Sequence, residues 1–473
     1  MEKTPPLSPL LISPLTSFWK WIKDNVWDPF WWVILMIIVF WVPLLRPWWW
    51  IFAPLFLSIE LRKLYLWWIA WDFAYPKIKW TMLEIIPPKE VLVPIKAMED
   101  VFSLIFSAIS DQVNFREIWC DGRLENAPDW MSFEIVSIEG KIHFFARVNS
   151  NHRSVLETTL YSHYPEIEIH EVPDYVKDVP QNIPNEEWDL YGEDFILGKE
   201  SAYPIKTYEK FFEPQGEKIS AEEKRIEPMN SLLELMSKLG PGEQYWMQII
   251  IMGVFDKDEP EWKNKGMEII SKLAKRSVKK KKSLLEEFIE TMSNIIIGPK
   301  KEGSGEKAKY KWVGSEKSEE GEREMVLTPG EREIITEIEN KIKKPAFRTN
   351  IKGLYIAKRE NWNPMHKTIA RGYMPHFSTN NLNFLRFGLV TRTKIHDIFR
   401  ERRVFLRSRK IFNNAVARFT PLFPDRRSEC AILNTEELAT LFHFPVKITG
   451  MVLPSIIRVE SKKGGPPPNL PTE

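Results

Sequence analysis

The sequence predicts an α+β protein that begins with a transmembrane helical hairpin and continues into two α+β domains, the second a degenerate repeat of the first. Three observations support this fold class. Two uncharged apolar runs lie near the start of the chain, a β-α-β-β-α-β pattern follows in residues 81–172, and part of that pattern recurs later. The chain has 473 residues, which is long enough for all three parts.

The N-terminal segment is predicted to be a membrane anchor. Residues 30–45 and 47–59 carry no charge, and thirteen of the twenty tryptophans fall within the first 80 residues. Indole rings favour the membrane–water interface. Either both runs form a hairpin that turns near Arg46, or one run spans the membrane and the other lies in the interface. Basic residues on both outer flanks favour the hairpin, with both ends in the cytoplasm. The expected anchor residues are Trp31, Trp32, Trp41, Trp48, Trp49 and Trp50.

The first domain, residues 78–175, carries the clearest pattern of elements. A two-residue turn at Glu139-Gly140 predicts a β-hairpin, because glycine tolerates a positive φ. The predicted elements, in order, are strand Leu83–Ile86, a helix from Pro94, strands Met131–Ile138 and Lys141–Val148, helix Ser154–Ser162 and strand Glu166–Glu171. This order is typical of a ferredoxin-like domain.

The second domain, residues 185–385, repeats part of that order with one strand missing. Its predicted strands are Trp188–Leu197, Gln244–Val254 and Phe347–Ala357. A capping box at Thr328 and Glu331 begins a helix. Residues 298–327 are poor in apolar side chains and predict a disordered insertion. We interpret this part as a second, degenerate ferredoxin-like domain.

The remaining boundaries follow changes in composition. We expect a cytoplasmic N-terminal segment at 1–25, the transmembrane or interfacial hairpin at 26–72, a basic segment at 386–427, a C-terminal helix and strand at 428–459, and a flexible linker at 460–473.

Sequence motifs for catalysis are absent. Gly298 to Gly303 follows an apolar run, but Ser304 and Gly305 stand where a phosphate-binding loop needs Lys and Ser/Thr. The eight histidines form no metal-binding spacing, and Cys120 and Cys430 lie far apart and are interpreted as free thiols. We therefore predict no catalytic residue, no cofactor, no metal, and no enzymatic activity.

The basic segment 386–427 is the strongest candidate for binding. The whole chain has a net charge of only +2, yet this segment holds twelve basic and three acidic residues. Phenylalanines are interleaved with its arginines, which suits a polyanion or lipid headgroups. Single-stranded nucleic acid, anionic lipid, an acidic protein face, and no ligand all stay open. The candidate residues are Arg400, Arg402, Arg403, Arg407, Arg409 and Lys410.

Five stretches suggest a family: 156–175, 231–251, 327–342, 433–445 and 460–471. They resemble an uncharacterised bacterial family that is similar to the N-terminal, non-motor regions of type IV secretion and conjugative-transfer ATPases of the TraG/VirB type. In that architecture a P-loop motor follows a proline-rich linker, and this chain stops at Glu473.

The resemblance implies a non-catalytic adaptor in the bacterial inner membrane, facing the cytoplasm and working with a separately encoded P-loop ATPase. The expected partners are the lipid bilayer and that ATPase or another subunit of the secretion machine. Nucleic acid and a second copy of the chain stay open as partners. The alternative function is a membrane-associated protein that binds nucleic acid or anionic lipid through residues 386–427.

Overall fold

The computed structural model of the chain describes scattered positions between 37 and 65 and then the following ranges: 78–88, 91, 93–109, 130–211, 227–254, 260–274, 300–302, 309–311, 327–388, 392–394, 399–418 and 430–445. The chain divides into two compact units. One unit contains Met1–Lys79 and Asp111–Pro128, and the other contains Trp80–Ser110 and Asp129–Glu473. The second unit contains every helix and strand discussed below.

The predicted transmembrane hairpin at 26–72 is wrong. Among the residues that the structure describes, no helix is both long enough and apolar enough to cross a membrane. Each uncharged run is shorter than the ~20 residues that a spanning helix needs, and Arg46 separates the two. The predicted location in the bacterial inner membrane depended on the hairpin and is contradicted as well. Segment 1–25 lies outside the described residues.

The anchor tryptophans divide into two groups. Trp41, Trp49 and Trp50 are 84%, 49% and 61% exposed. Trp31, Trp32 and Trp48 lie outside the described residues.

One antiparallel sheet of nine strands organises the second unit. Its strands are β1 (Trp80–Ile86), β2 (Trp130–Ile138), β3 (Lys141–Asn149), β4 (Glu168–Glu171), β5 (Trp188–Leu197), β6 (Glu243–Val254), β9 (Ala346–Lys358), β10 (Leu385–Phe387) and β11 (Ala431–Asn434), while β7 (Lys300–Glu302) and β8 (Lys309–Lys311) form a separate pair. The spatial order is β10-β5-β9-β6-β2-β3-β1-β4, and β11 pairs with the end of β9 that β5 leaves uncovered.

The predicted pair of ferredoxin-like domains is wrong. The first four strands follow the expected chain order, but the sheet does not end at β2. Strand β6 pairs with β2 from Trp130↔Met252 to Ile138↔Gln244, and β9 pairs with the other edge of β6. The physical reason lies in β6, which is buried along almost its whole length and needs a hydrogen-bonded neighbour on each side. The two halves therefore share one sheet.

Several local predictions are confirmed. The β2–β3 hairpin turns at Glu139 and Gly140, which have φ values of 52° and 83°, as a two-residue hairpin turn requires. Strand β5 has the predicted bounds, and the capping box joins Thr328 to Glu331. The predicted insertion at 298–327 contains β7 and β8 instead of being wholly without regular structure.

The helices are α1 (Lys96–Ile109), α2 (Arg153–His163), α3 (Pro228–Ser237), α4 (Pro260–Leu273), α5 (Pro329–Lys343), α6 (Ile369–Tyr373), α7 (Arg400–Ala417) and α8 (Thr435–Leu441). Helices α1, α2, α3, α6 and α8 contribute to one apolar core with the sheet. Helix α7 packs in a different core, together with Tyr175, Trp246 and Leu354. Of the predicted C-terminal parts, the linker 460–473 lies outside the described residues.

Helix α7 lies against the sheet through its C-terminal half. Its buried residues, Ser408, Ile411, Phe412 and Ala415, recur at helical spacing and form one stripe. Gly192 of β5 permits the contact, because a Cβ there would lie 2.8 Å from Ile411 Cδ1. The helix is therefore buried mainly from Ser408 onward, and this placement determines what its basic residues can do.

Candidate functional site

The last residue of this contact, Arg418, is fully buried although it belongs to the basic segment. It follows α7 with a left-handed backbone, φ 51°. Its Nε and Nη2 donate to the two carboxylate oxygens of Glu134 at 3.0 and 3.2 Å. Its Nη1 and Nη2 donate to Asp174 at 2.7 and 2.8 Å. Arg418 is therefore a structural residue that ties the end of α7 to β2.

Glu134 is the buried centre of this network. Ser132 donates to Oε1 at 2.5 Å, and Tyr175 donates to Oε2 at 2.6 Å. Burial by itself would raise the pKa of Glu134, but the charge of Arg418 and the hydrogen bonds from Arg418, Ser132 and Tyr175 outweigh it, so the pKa lies below its usual value. Glu134 is thus held ionised opposite the guanidinium.

The first eight residues of α7, 400–407, are all exposed or half-buried. Its exposed stripe follows helical spacing from Phe399 through Arg402, Arg403 and Leu406 to Lys410. Phe399 and Leu406 are 78% and 56% exposed, which is unusual for large apolar side chains. We name this set of five residues the α7 stripe.

The six predicted binding residues thus have different environments. Arg402, Arg403 and Lys410 lie together on the stripe, and Arg400 is exposed at the first turn of the helix. Arg407 and Arg409 are half-buried, and Arg407 Nη1 donates to the Arg392 carbonyl at 3.2 Å. The structure therefore brings three of the six together on the stripe and gives the others different roles.

A pocket of about 540 Å³ opens beside the first turn of α7. Strand β5 forms one wall of the pocket. Residues 392–394 are held against this strand by two hydrogen bonds: the Thr393 backbone N–H donates to the Gly192 carbonyl at 3.1 Å, and the Gly192 N–H donates to Thr393 Oγ1 at 3.2 Å. Of the residues that the structure describes, four basic residues and one acidic residue line the pocket. The lining residues are Tyr191, Lys367, Arg371, Thr393, Lys394, Arg400, Glu401 and Val404.

A hydrogen-bonded group orients the wall of this pocket. Tyr191 donates its hydroxyl hydrogen to Glu193 Oε2 at 2.8 Å, and the same hydroxyl oxygen accepts from Arg371 at 2.9 Å and from Arg392 at 3.1 Å. Both guanidinium groups lie over the Phe387 ring. Burial raises the pKa of Glu193 above its usual value, although Tyr191 and the two arginines oppose the shift. These contacts fix the orientation of the Arg371 guanidinium group.

Sequence reasoning missed Lys367, Arg371 and Tyr191. Lys367 and Arg371 are four residues apart, which is the spacing of side chains on one face of a helix, so a shared face could have been inferred. Nothing in the sequence pattern indicated that this face meets the start of α7. Among the described residues, no group of three or more His, Cys, Asp or Glu side chains could hold a metal ion.

In a comparison with known proteins, no curated protein matches the chain. The model of a domain of unknown function, DUF8128, matches residues 73–447, which include every described element of the nine-stranded sheet. The chain belongs to the DUF8128 family.

Proposed function

We propose that this protein is a non-catalytic adaptor of a machine similar to type IV secretion or conjugative transfer, and that it works with a separately encoded P-loop ATPase. The resemblance of five sequence stretches to the non-motor regions of such ATPases supports the proposal. The broad sheet, packed with helices into its cores, suits a rigid scaffold that presents a surface to a partner.

The α7 stripe is the single observation that carries this proposal. Arginine and large apolar side chains are enriched in the centres of protein interfaces. The stripe presents Arg402 and Arg403 beside Phe399 and Leu406, on a helix whose other end is anchored in the core. Its positive charge fits an acidic face of the partner, because complementary charges orient the two proteins as they meet.

The test measures binding between the purified chain and the P-loop ATPase encoded nearest to its gene. The variant Arg402→Glu/Arg403→Glu reverses two charges on the stripe, and we expect affinity to fall at least tenfold, because like charges across an interface repel. The control, Lys238→Glu/Lys343→Glu, makes the same charge change at exposed lysines outside α7 and should bind as the wild type does. No measurable binding by the wild type, or equal loss in both variants, contradicts the proposal.

A second candidate function is binding of single-stranded nucleic acid. The specific observation is the exposure of Phe399 and Phe405, 78% and 48%, beside the arginines of α7. Bases stack on aromatic rings while arginines neutralise phosphates. Titration of a labelled oligonucleotide should then show affinity that falls steeply as salt rises. Affinity independent of salt, or unchanged in Arg402→Glu/Arg403→Glu, excludes this candidate. Binding of the same segment to anionic lipid stays a prediction that sedimentation with vesicles can check.

A further inference from the structure

The pocket beside β5 collects positive charge from three separate parts of the chain. Lys367 precedes α6, Lys394 follows the segment paired with β5, and Arg400 begins α7. Among the residues that the structure describes, none of these three side chains forms an ion pair. Folding places like charges together here, and this costs free energy unless an anion neutralises them.

The acidic groups near the pocket do not balance these three cations. Glu193 is buried behind Tyr191 and lies 3.8 Å from both Arg371 and Arg392, so it compensates those two arginines. Glu401 is the one acidic residue among the described residues of the lining, and it is exposed. This described part of the lining therefore keeps a net positive charge that exceeds one unit.

The N-terminus of α7 adjoins the same pocket. Arg400, Glu401 and Val404 of its first turns line the wall. Phe399 precedes the helix with φ 57°, and its side chain provides no cap. The first N–H groups of a helix have no partner within the helix, and the helix dipole favours an anion at this end.

These features point to one class of ligand. Lysine ammonium groups, an arginine fork and a helix N-terminus together suit a phosphate group, which carries up to two charges and three acceptor oxygens. A single carboxylate would leave most of the positive charge unbalanced. The volume of about 540 Å³ lies in the range of small-molecule sites and exceeds what a bare phosphate fills. Tyr191 and Val404 offer apolar surface for the rest of the molecule.

We propose that the pocket between β5, Lys367, Lys394 and the first turn of α7 binds a small molecule that carries a phosphate monoester. Arg371, held by Tyr191, provides a preoriented fork for the phosphate. Lys367, Lys394 and Arg400 supply further charge from the rim. This site is distinct from the α7 stripe, because its lysines come from other segments and face the pocket.

Isothermal titration of the purified full-length chain with ribose 5-phosphate, AMP and unphosphorylated ribose tests this proposal. We expect both phosphorylated probes to bind and ribose not to bind. Lys394→Gln and Lys367→Gln should each weaken binding of the phosphorylated probes at least tenfold, because each removes a charge-assisted hydrogen bond to the phosphate. Lys394 is exposed, so its variant should keep the fold.

The matched control is Lys343→Gln, which removes one charge at an exposed lysine outside both the pocket and the α7 stripe and should leave probe binding unchanged. Three results would overturn the proposal: no binding of either phosphorylated probe, equal binding of ribose and ribose 5-phosphate, or unchanged affinity in both lysine variants. Thermal melting of each variant separates a lost site from a lost fold. Loss of ATPase binding in the stripe variants has no bearing on this result, so the two proposals can fail separately.

Discussion

The two ends of α7 both carry arginine but have opposite environments. At the C-terminal end, Arg418 is fully buried and makes four hydrogen bonds to Glu134 and Asp174. At the N-terminal end, Arg402 and Arg403 are exposed beside Phe399. Both groups belong to one run of basic residues in the sequence. A basic segment is therefore not one functional unit, because its buried basic residues stabilise the fold and its exposed basic residues are available for binding.

The C-terminal end of α7 also illustrates how a helix terminus is satisfied by side chains of the sheet. Gln248 Nε2 donates to the Ala415 carbonyl at 3.2 Å, and Arg147 Nη1 donates to the Ala417 carbonyl at 3.3 Å. The last carbonyls of a helix need such donors. The N-terminal end has no side-chain cap. Only the end without a cap adjoins the basic pocket.

The largest expected effect is on the buried end. Arg418→Met should lower the free energy of unfolding by about 3–5 kcal/mol, because it leaves Glu134 buried without its charged partner. Arg403→Met, on the exposed stripe, should change it by less than about 0.5 kcal/mol. Chemical denaturation at neutral pH measures both. Equal effects of the two substitutions would show that the two ends of α7 do not differ as described.

Acid should reduce the difference between the wild type and Arg418→Met. The pKa of Glu134 is lowered in the folded wild type, so its stabilisation is present above the unfolded value, about 4.5, and is lost as pH falls through the folded value. In Arg418→Met the positive charge that offsets the burial of Glu134 is gone, so the pKa of Glu134 rises. Protonation of Glu134 then removes the buried charge as the pH falls, which stabilises the variant. Chemical denaturation between pH 7 and pH 4 should show the free energies of unfolding of the wild type and Arg418→Met converging as the pH falls. The convergence cannot exceed the difference between the two proteins at neutral pH. A constant difference across this range would contradict the ion pair.

A smaller effect is expected where the buried stripe of α7 meets the sheet. Gly192→Ala places a Cβ 2.8 Å from Ile411 Cδ1, so the side chain or the helix must shift. Overpacking of this kind costs about 1–3 kcal/mol. Gly330→Ala is the matched control, because a Cβ there meets nothing within 4 Å. Thermal melting should show a loss for Gly192→Ala alone, and an unchanged melting temperature would mean that α7 packs less closely than described.

Much of the local structure could be predicted from the sequence. The turn at Glu139-Gly140, the capping box at Thr328, and the strands around Leu190 and Leu354 depend on neighbouring residues and on apolar periodicity. The sequence also marked residues 386–427 as a basic segment, but helix α7 within it, and which of its residues are buried, could not be predicted. Arg418 and Arg403 look alike in sequence, and only contact with Glu134, far away in the chain, distinguishes them.

The predicted anchor and domain organisation failed for related reasons. Two short apolar runs near Arg46 were combined into a spanning hairpin, although each is shorter than a bilayer requires. Two βα patterns were interpreted as two closed domains, although β6 pairs with strands of both halves. In each case the local pattern was real, and the error lay in how separate segments were combined.

The sequence by itself determined several local elements of this protein, among them the turn at Glu139-Gly140, strand β5 and the capping box at Thr328, and it showed that positive charge is concentrated in residues 386–427. Those properties arise from interactions between residues a few positions apart. The tertiary structure alone decided that the strands form one sheet, that Arg418 is a buried partner of Glu134, and that Lys367, Lys394 and Arg400 meet at one pocket. The physical reason is that burial and charge pairing depend on residues hundreds of positions apart, and no local pattern records which of them will meet.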